Sequence, residues 1–239
     1  MLSLKQVTKT FTLDEHTTIT PVDQVNLDIA RGELIMIVGR SGSGKSTLLN
    51  LAAGLVRPSA GQIMLDDHDL AKLSDRELSN VRAERMGFIF QFPSLLQSLR
   101  VVDNVSLPGV FTRSGGSKSD SKVAIELLEK VGLASKADVF PLQLSAGEQK
   151  RAVIARALFN SPQLVLADEP TSDLDEETEA QIMEMLRKIN SEGVTFIIVT
   201  HSLELLPYAS RAFEMINGTL KELETRKASF SGLRNGAAP

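Results

Sequence analysis

Gly39-Arg40-Ser41-Gly42-Ser43-Gly44-Lys45-Ser46-Thr47 follows directly on the apolar run Leu34 to Val38, and this short stretch commits the chain to an architecture and a chemistry. A buried strand delivers the chain to a glycine-rich turn. Missing Cβ atoms there let backbone N–H groups converge on one point while a helix begins just behind it. Such a turn is a cradle for nucleotide phosphates, and all nine residues are candidate contacts. Lys45 brings a mobile positive charge to the β- and γ-phosphates, and Ser46 has the hydroxyl that holds Mg²⁺ in sites of this pattern. A Gly/Ser-rich connector would need neither the lysine nor the preceding strand.

Outward from the cradle, short apolar runs recur at Phe88 to Phe90, Leu164 to Ala167 and Phe196 to Val199. With Leu34 to Val38 they read as strands buried on both faces, as a parallel sheet requires. Helical patterns lie among them at Lys45 to Ala53, Val123 to Val131, Glu148 to Phe159 and Glu176 to Ile189, so the class is α/β. Ahead of the cradle, Leu2 to Val7 and Val22 to Ile29 read as strands of a small antiparallel sheet, separated by the polar stretch Thr10 to Thr20. Gln91 to Leu144 lacks a buried strand, contains the turn Pro93 to Leu96 and the flexible Ser114 to Ser119, and reads as a helical insertion. One domain is expected over residues 1–228, with the insertion at about 92–144. The Ser-, Gly- and Ala-rich tail 229–239 should fray.

The bulk composition narrows the function. The 239 residues are 42% hydrophobic and 23% charged, within the ordinary globular range. A net charge of −4 offers no general footprint for nucleic acid, and no nucleic-acid partner is expected. Zero cysteines excludes disulfides, thiolate zinc sites and cysteine nucleophiles. Neither a secretory signal nor a run of about 18 apolar residues appears. A cytoplasmic chain that does not itself span the membrane is the expectation.

Leu164-Val165-Leu166-Ala167-Asp168-Glu169 is an apolar strand ending in two carboxylates, which strand alternation would aim in different directions. Ligands of a parallel α/β sheet lie beyond the carboxyl ends of its strands, so Asp168 should arrive beside the cradle and hold Mg²⁺ directly or through water. Glu169 is then the candidate general base for an attacking water. Taken alone, such a pair is equally a solvated turn or a helix cap.

Leu144-Ser145-Ala146-Gly147-Glu148-Gln149-Lys150-Arg151 resembles the L-S-G-G-Q signature of the ABC ATPases, although a plain helix N-cap would also explain Ser145. Ala146 replaces the first glycine and Glu148 the glutamine, the latter familiar in the lipoprotein-release and macrolide-export branch. Further matches complete the resemblance. Gln91 matches the Q-loop glutamine, expected to reach Mg²⁺ and the attacking water. His201 matches the switch histidine on the γ-phosphate, and Phe11 the aromatic that stacks on adenine. Ser172-Asp173-Leu174-Asp175 matches the D-loop, with Asp173 an uncommon choice. Taken singly, Gln91 could be a surface amide, His201 a helix cap, Phe11 a core side chain and Asp175 a helix N-cap.

The resemblance spans Phe11 to His201 and implies a P-loop NTPase of the ABC ATPase fold: a mixed-sheet core, a small N-terminal antiparallel β part and a helical insertion. It implies ATP and Mg²⁺ as cofactors. Catalytic roles fall to Glu169, His201, Lys45 and Gln91, and metal roles to Ser46, Gln91 and Asp168. It also implies that Ser145, Gly147 and Glu148 of one copy close over ATP bound to a second copy in a head-to-tail dimer. Integral membrane permease subunits would hold the pair at the inner face of the membrane. Gly32-Glu33-Leu34 and Phe90-Gln91-Phe92-Pro93-Ser94-Leu95-Leu96 look like the lipoprotein-release, macrolide-export and cell-division branch. A transporter motor is the first expectation, and a signalling motor acting on cell-wall hydrolases the alternative. A soluble ABC protein working on ribosomes or DNA is disfavoured by the single cassette and the acidic balance.

Overall fold

In a computed structural model of the protein, residues 1–14, 17–111 and 118–224 are described. Their elements run β1 (Leu2–Thr12), β2 (Thr18–Ile29), β3 (Leu34–Val38), α1 (Lys45–Ala52), β4 (Ala60–Leu65), β5 (His68–Asp69), α2 (Asp75–Arg85), β6 (Met86–Ile89), α3 (Val101–Ser106), α4 (Lys118–Lys130), α5 (Ala146–Leu158), β7 (Leu164–Asp168), α6 (Glu176–Ser191), β8 (Thr195–Thr200), β9 (Arg211–Ile216) and β10 (Thr219–Leu223). Short 3₁₀ turns sit at Leu107–Phe111, Ala134–Lys136, Pro141–Gln143 and Leu203–Tyr208.

The apolar runs become the centre of a six-stranded sheet in the order β10-β9-β3-β8-β7-β6. All its neighbours are parallel except the β9–β10 hairpin. Each central strand is buried because it feeds two cores at once. Leu34, Met36, Val38, Val165, Ala167, Phe196 and Ile198 face the core shared with α5 and α6. Their alternates Ile35, Ile37, Leu164, Leu166, Ile197 and Val199 face the core shared with α1 and the second sheet. The two-residue period of a strand thus explains why these runs contain no polar residue.

The second sheet is antiparallel, in the order β2-β1-β4-β5. Its first two strands extend further than expected, since the threonine-rich stretch pairs as well: Phe11 lies opposite Ile19 and Thr12 opposite Thr18. Thr10 and Thr20 bring their hydroxyls to 3.2 Å. β-Branched threonines suit an exposed strand pair, so polarity there marked an edge and not a connector. Four strands and α2 escaped the sequence reading although local signals exist. Ser74 and Glu77 form a capping box at the start of α2. Asn217 and Gly218, both with positive φ, turn β9 into β10, the hairpin signature of an Asn-Gly pair.

Among the described residues the stretch from Gln91 to Leu144 contains only helices and turns, as expected. Its anchor is Asn104, fully buried, whose amide donates to the carbonyls of Leu96, Leu99 and Arg100 and accepts from the Leu96 N–H at 2.7 Å. One side chain therefore completes the backbone bonding of the turn that enters α3. Of the expected flexible stretch, residues 114–117 lie outside the described residues, as does the tail 229–239, while Lys118 and Ser119 open α4. No described helix is long and apolar enough to cross a membrane.

Candidate functional site

The C-terminal ends of the parallel strands converge on a cleft of about 560 Å³ lined by the Ser41–Thr47 loop, Gln91, Asp168, Glu169, His201 and Pro21 of β2. The loop leaves β3 and turns into α1 through Gly44, whose φ is 108°. A Cβ there would sit 1.9 Å from the Pro21 carbonyl oxygen, so only glycine lets the helix start this close to β2. The Ser43 carbonyl accepts from the Gly218 N–H at 3.2 Å, which ties the loop to the β9–β10 turn.

Three features of the cradle fit a bound polyphosphate. Lys45 is buried and its ammonium donates to the carbonyls of Gly39 (2.7 Å) and Arg40 (3.1 Å), leaving one of its three N–H donors for a phosphate oxygen. The Ser43 hydroxyl is buried without a partner, an orphan that an incoming oxygen acceptor would satisfy. The N-terminus of α1 carries no acidic residue in its first turn and adds its positive dipole end.

Asp168 ends β7 and Glu169 follows it, yet both line the same cleft. The expectation that alternation would separate them is corrected by the backbone: Glu169 has φ 46°, so the strand geometry behind the two-residue period has already ended. Glu169 is held there by its own N–H, which donates to the Val199 carbonyl at 2.9 Å. Burial pushes the Asp168 carboxyl above its usual range, the neighbouring Glu169 charge adds to this, and the Ser46 hydrogen bond and the Lys45 charge oppose it. A divalent cation beside Asp168 would favour its charged form. The donors offered by Ser46, Asp168 and Gln91 are hard oxygens, as Mg²⁺ requires. Among the described residues no group of three or more acidic or histidine side chains could hold a metal ion.

The Glu169 carboxylate is oriented at both oxygens. Thr200 donates its hydroxyl to Oε2 at 3.1 Å, and His201 Nδ1 lies 2.9 Å from Oε1. Engaging Nδ1 leaves Nε2 as the nitrogen available to the cleft. Thr200 and Val199, at the end of β8, thus position the Glu169 carboxylate, a role that no local pattern assigns to either.

The remaining candidates lie outside this cleft. Ser145 caps α5: its hydroxyl accepts from the Glu148 N–H at 3.2 Å, while the Glu148 carboxylate accepts from the Ser145 N–H at 2.8 Å. Glu148 is therefore occupied in a capping box, and its carboxyl is held below the usual range chiefly by that backbone hydrogen bond. Ala146 is exposed at this tip, whereas Gly147 is buried, with a Cβ position 2.8 Å from the Thr178 methyl of α6. The alanine is thus accommodated within the subunit and the second glycine is the one packing demands. Asp175 accepts from the Thr178 N–H at 2.9 Å and caps α6. Phe11 sits on β1 beneath Lys9, whose ammonium lies 4.8 Å from the ring centroid, and does not line the cleft. Two residues of α5, Lys150 at the end of the signature stretch and Arg156 beyond it, reach the Gln91 segment, a role that no local pattern assigns to them. Lys150 donates to the Gln91 carbonyl at 2.6 Å, and Arg156 donates to the Ser94 carbonyl at 2.9 Å.

Residues 22–172 match the family described as ABC transporter. The chain is 44% identical over 233 residues to the methionine import ATP-binding protein MetN 2 of Rhodococcus jostii, covering 97% of this chain and 68% of that protein. It is 44% identical over 204 residues to the lipoprotein-releasing system ATP-binding protein LolD of Bordetella pertussis, covering 85% of this chain and 88% of that one. Its backbone superposes with a TM-score of 0.85, at 38% identity, on the solved dimer of the ATP-binding cassette MJ0796 in a post-hydrolysis state bound to ADP and Pi; 95% of this chain and all of that one are covered. MJ0796 belongs to Methanocaldococcus jannaschii.

Proposed function

The chain belongs to the ABC transporter family of ATP-binding proteins, and from that premise we propose that two copies hydrolyse ATP at a shared interface to drive membrane permease partners. The observation that carries this reading is the split of the signature residues from the cleft. Lys45, Ser46, Gln91, Asp168, Glu169 and His201 share one cavity, while Ser145 stands at a helix tip outside it. A helix tip with a hydroxyl and backbone donors suits a phosphate supplied by another copy.

In this mechanism Lys45 and the loop N–H groups hold the β- and γ-phosphates. Ser46, Asp168 and Gln91 would hold Mg²⁺, which when bound would neutralise phosphate charge. Glu169 takes the proton of the attacking water as its oxygen bonds to the γ-phosphorus and the bridging P–O bond to ADP breaks. His201, fixed at Nδ1 by Glu169, offers Nε2 to the γ-phosphate, and Phe11 stacks on the adenine.

The membrane partners would dock where the insertion meets the core. An apolar groove of about 410 Å³ runs there between Leu55, Phe88, Phe90, Leu107 and Phe111, with Phe111 70% exposed and Phe90 45% exposed next to Gln91. Phe90 stacks on Phe88, with ring centroids 5.9 Å apart, and rings left exposed around an apolar groove suit a protein interface. For cargo we favour the lipoprotein-release or macrolide-export type, on the Phe90 to Leu96 stretch and Glu148. Reconstituted with its permease, the protein should then be stimulated by an acylated lipoprotein or a macrolide. Stimulation by methionine alone would overturn that assignment.

The shared site has its own test. ATPase activity of the isolated protein should rise faster than linearly with concentration below the dimerisation constant. Strict proportionality across that range, with no dimer in light scattering, would reject the two-copy site.

A further inference from the structure

Helix α5 grips the segment that carries Gln91 at two points. Lys150 is only 4% exposed, and its ammonium donates to the Gln91 carbonyl at 2.6 Å and to the Ser172 hydroxyl at 3.4 Å. Further along α5, Arg156 donates to the carbonyls of Ser94 (2.9 Å) and Pro93 (3.3 Å) and to the Ser94 hydroxyl (3.1 Å). At 1.5 Å of rise per residue these grips are about 9 Å apart, close to the reach of the few residues they hold. The Gln91 to Ser94 backbone therefore lies along α5 and does not swing as a free loop. Arg156 and Ser94 also line the apolar groove, so the same helix borders the groove, the Gln91 segment and the Ser145 tip.

A buried ammonium is a costly way to fill space that a methionine of similar length would fill. Burial pushes the Lys150 ammonium below its usual range, and the negative charges of Asp173 and Glu169 oppose that shift. Asp173, exposed and with φ 64°, is the uncommon residue of the turn after Ser172. The cation therefore sits where the metal-side segment, the Ser172 turn and α5 meet.

We propose that Lys150 is a positioning residue for hydrolysis, locking the Gln91 segment and the Ser172 turn to α5 so that the Gln91 side chain and the Ser145 tip move as one body. This rests on the two-copy site proposed above. Lys150 touches neither nucleotide nor water in this role; it sets the register between residues that do.

Lys150→Met keeps the apolar stem and removes the donors and the charge. The expected result is a kcat about tenfold lower, with KM for ATP and the affinity of the isolated subunit for a fluorescent ATP analogue within about twofold of wild type. Asp173→Asn is the variant least able to disturb folding, since the position is exposed and Asn tolerates its φ. It should lower kcat about threefold, again without moving KM, and add nothing in the Lys150→Met background. Should Lys150→Met fail to fold, the Asp173→Asn split between kcat and KM decides alone. A wild-type kcat in either folded variant, a matching rise in KM, or independent multiplication of the two losses would overturn the proposal. Wild-type activity measured alongside separates the two ideas: a linear concentration dependence removes the shared site itself, whereas a steep one with indifferent variants removes only the role of Lys150.

Discussion

Glu169→Gln should bind ATP within about threefold of wild type and lose turnover by at least about 100-fold, the scale of a general base. The substitution is nearly isosteric, and its amide oxygen can still accept from Thr200, which donates to Glu169 Oε2. The neutral amide, however, cannot take a proton from water. His201 can remain in contact by presenting Nδ1 as an acceptor to the new N–H₂, so the site keeps its shape while losing its base. Because ATP binds but is not cleaved, the variant should collect as an ATP-bound dimer that lives far longer than the wild-type one. Single-turnover hydrolysis and size-exclusion chromatography with light scattering measure both effects. Turnover at the wild-type rate would remove Glu169 from the role of base; turnover lost together with ATP binding would make it a structural residue.

The second large effect belongs to Gly44→Ala. A left-handed backbone costs a residue with a Cβ about 1–2 kcal/mol. Here the new methyl group would also sit 1.9 Å from the Pro21 carbonyl oxygen, which strand β2 holds in place. The loop must open to relieve the overlap, and opening disperses the N–H groups that converge on phosphate. ATP affinity should fall by about 100-fold or more, since the competent loop becomes a minor state. Gly42→Ala is the control. Its φ of 78° carries the same strain, yet no atom lies within 4 Å of the added Cβ. Its loss should stay near 5- to 30-fold, the equivalent of the backbone strain alone. Isothermal titration of both variants decides the matter, and equal losses would mean that the Pro21 contact is irrelevant.

Legibility followed the local or non-local origin of each feature. The strands β3, β7 and β8 were readable because burial on both faces leaves an unbroken apolar run, which no surface element needs. The helices α5 and α6 were readable within a residue or two, since each starts at a side-chain cap, Ser145 and Asp175. The exposed pairing of Phe11 and Thr12 with Ile19 and Thr18 leaves little trace in the sequence, because an edge pair has little apolar pattern to show. Helix α2, with Leu78 its one buried residue, hid for the same reason.

The phosphate cradle, its lysine, the carboxylate pair and the signature helix start are written in the order of residues, since each depends on residues within a few positions of one another. Folding alone places Asp168 and Glu169 in one cleft, sets Thr200 and His201 on the Glu169 carboxylate, and brings Lys150 onto the Gln91 segment. The contacts that orient Glu169 and hold the Gln91 segment join residues from 31 to 59 positions apart. Their distances are set by the parallel packing of strands and by one left-handed backbone angle, and no local pattern of side chains encodes either.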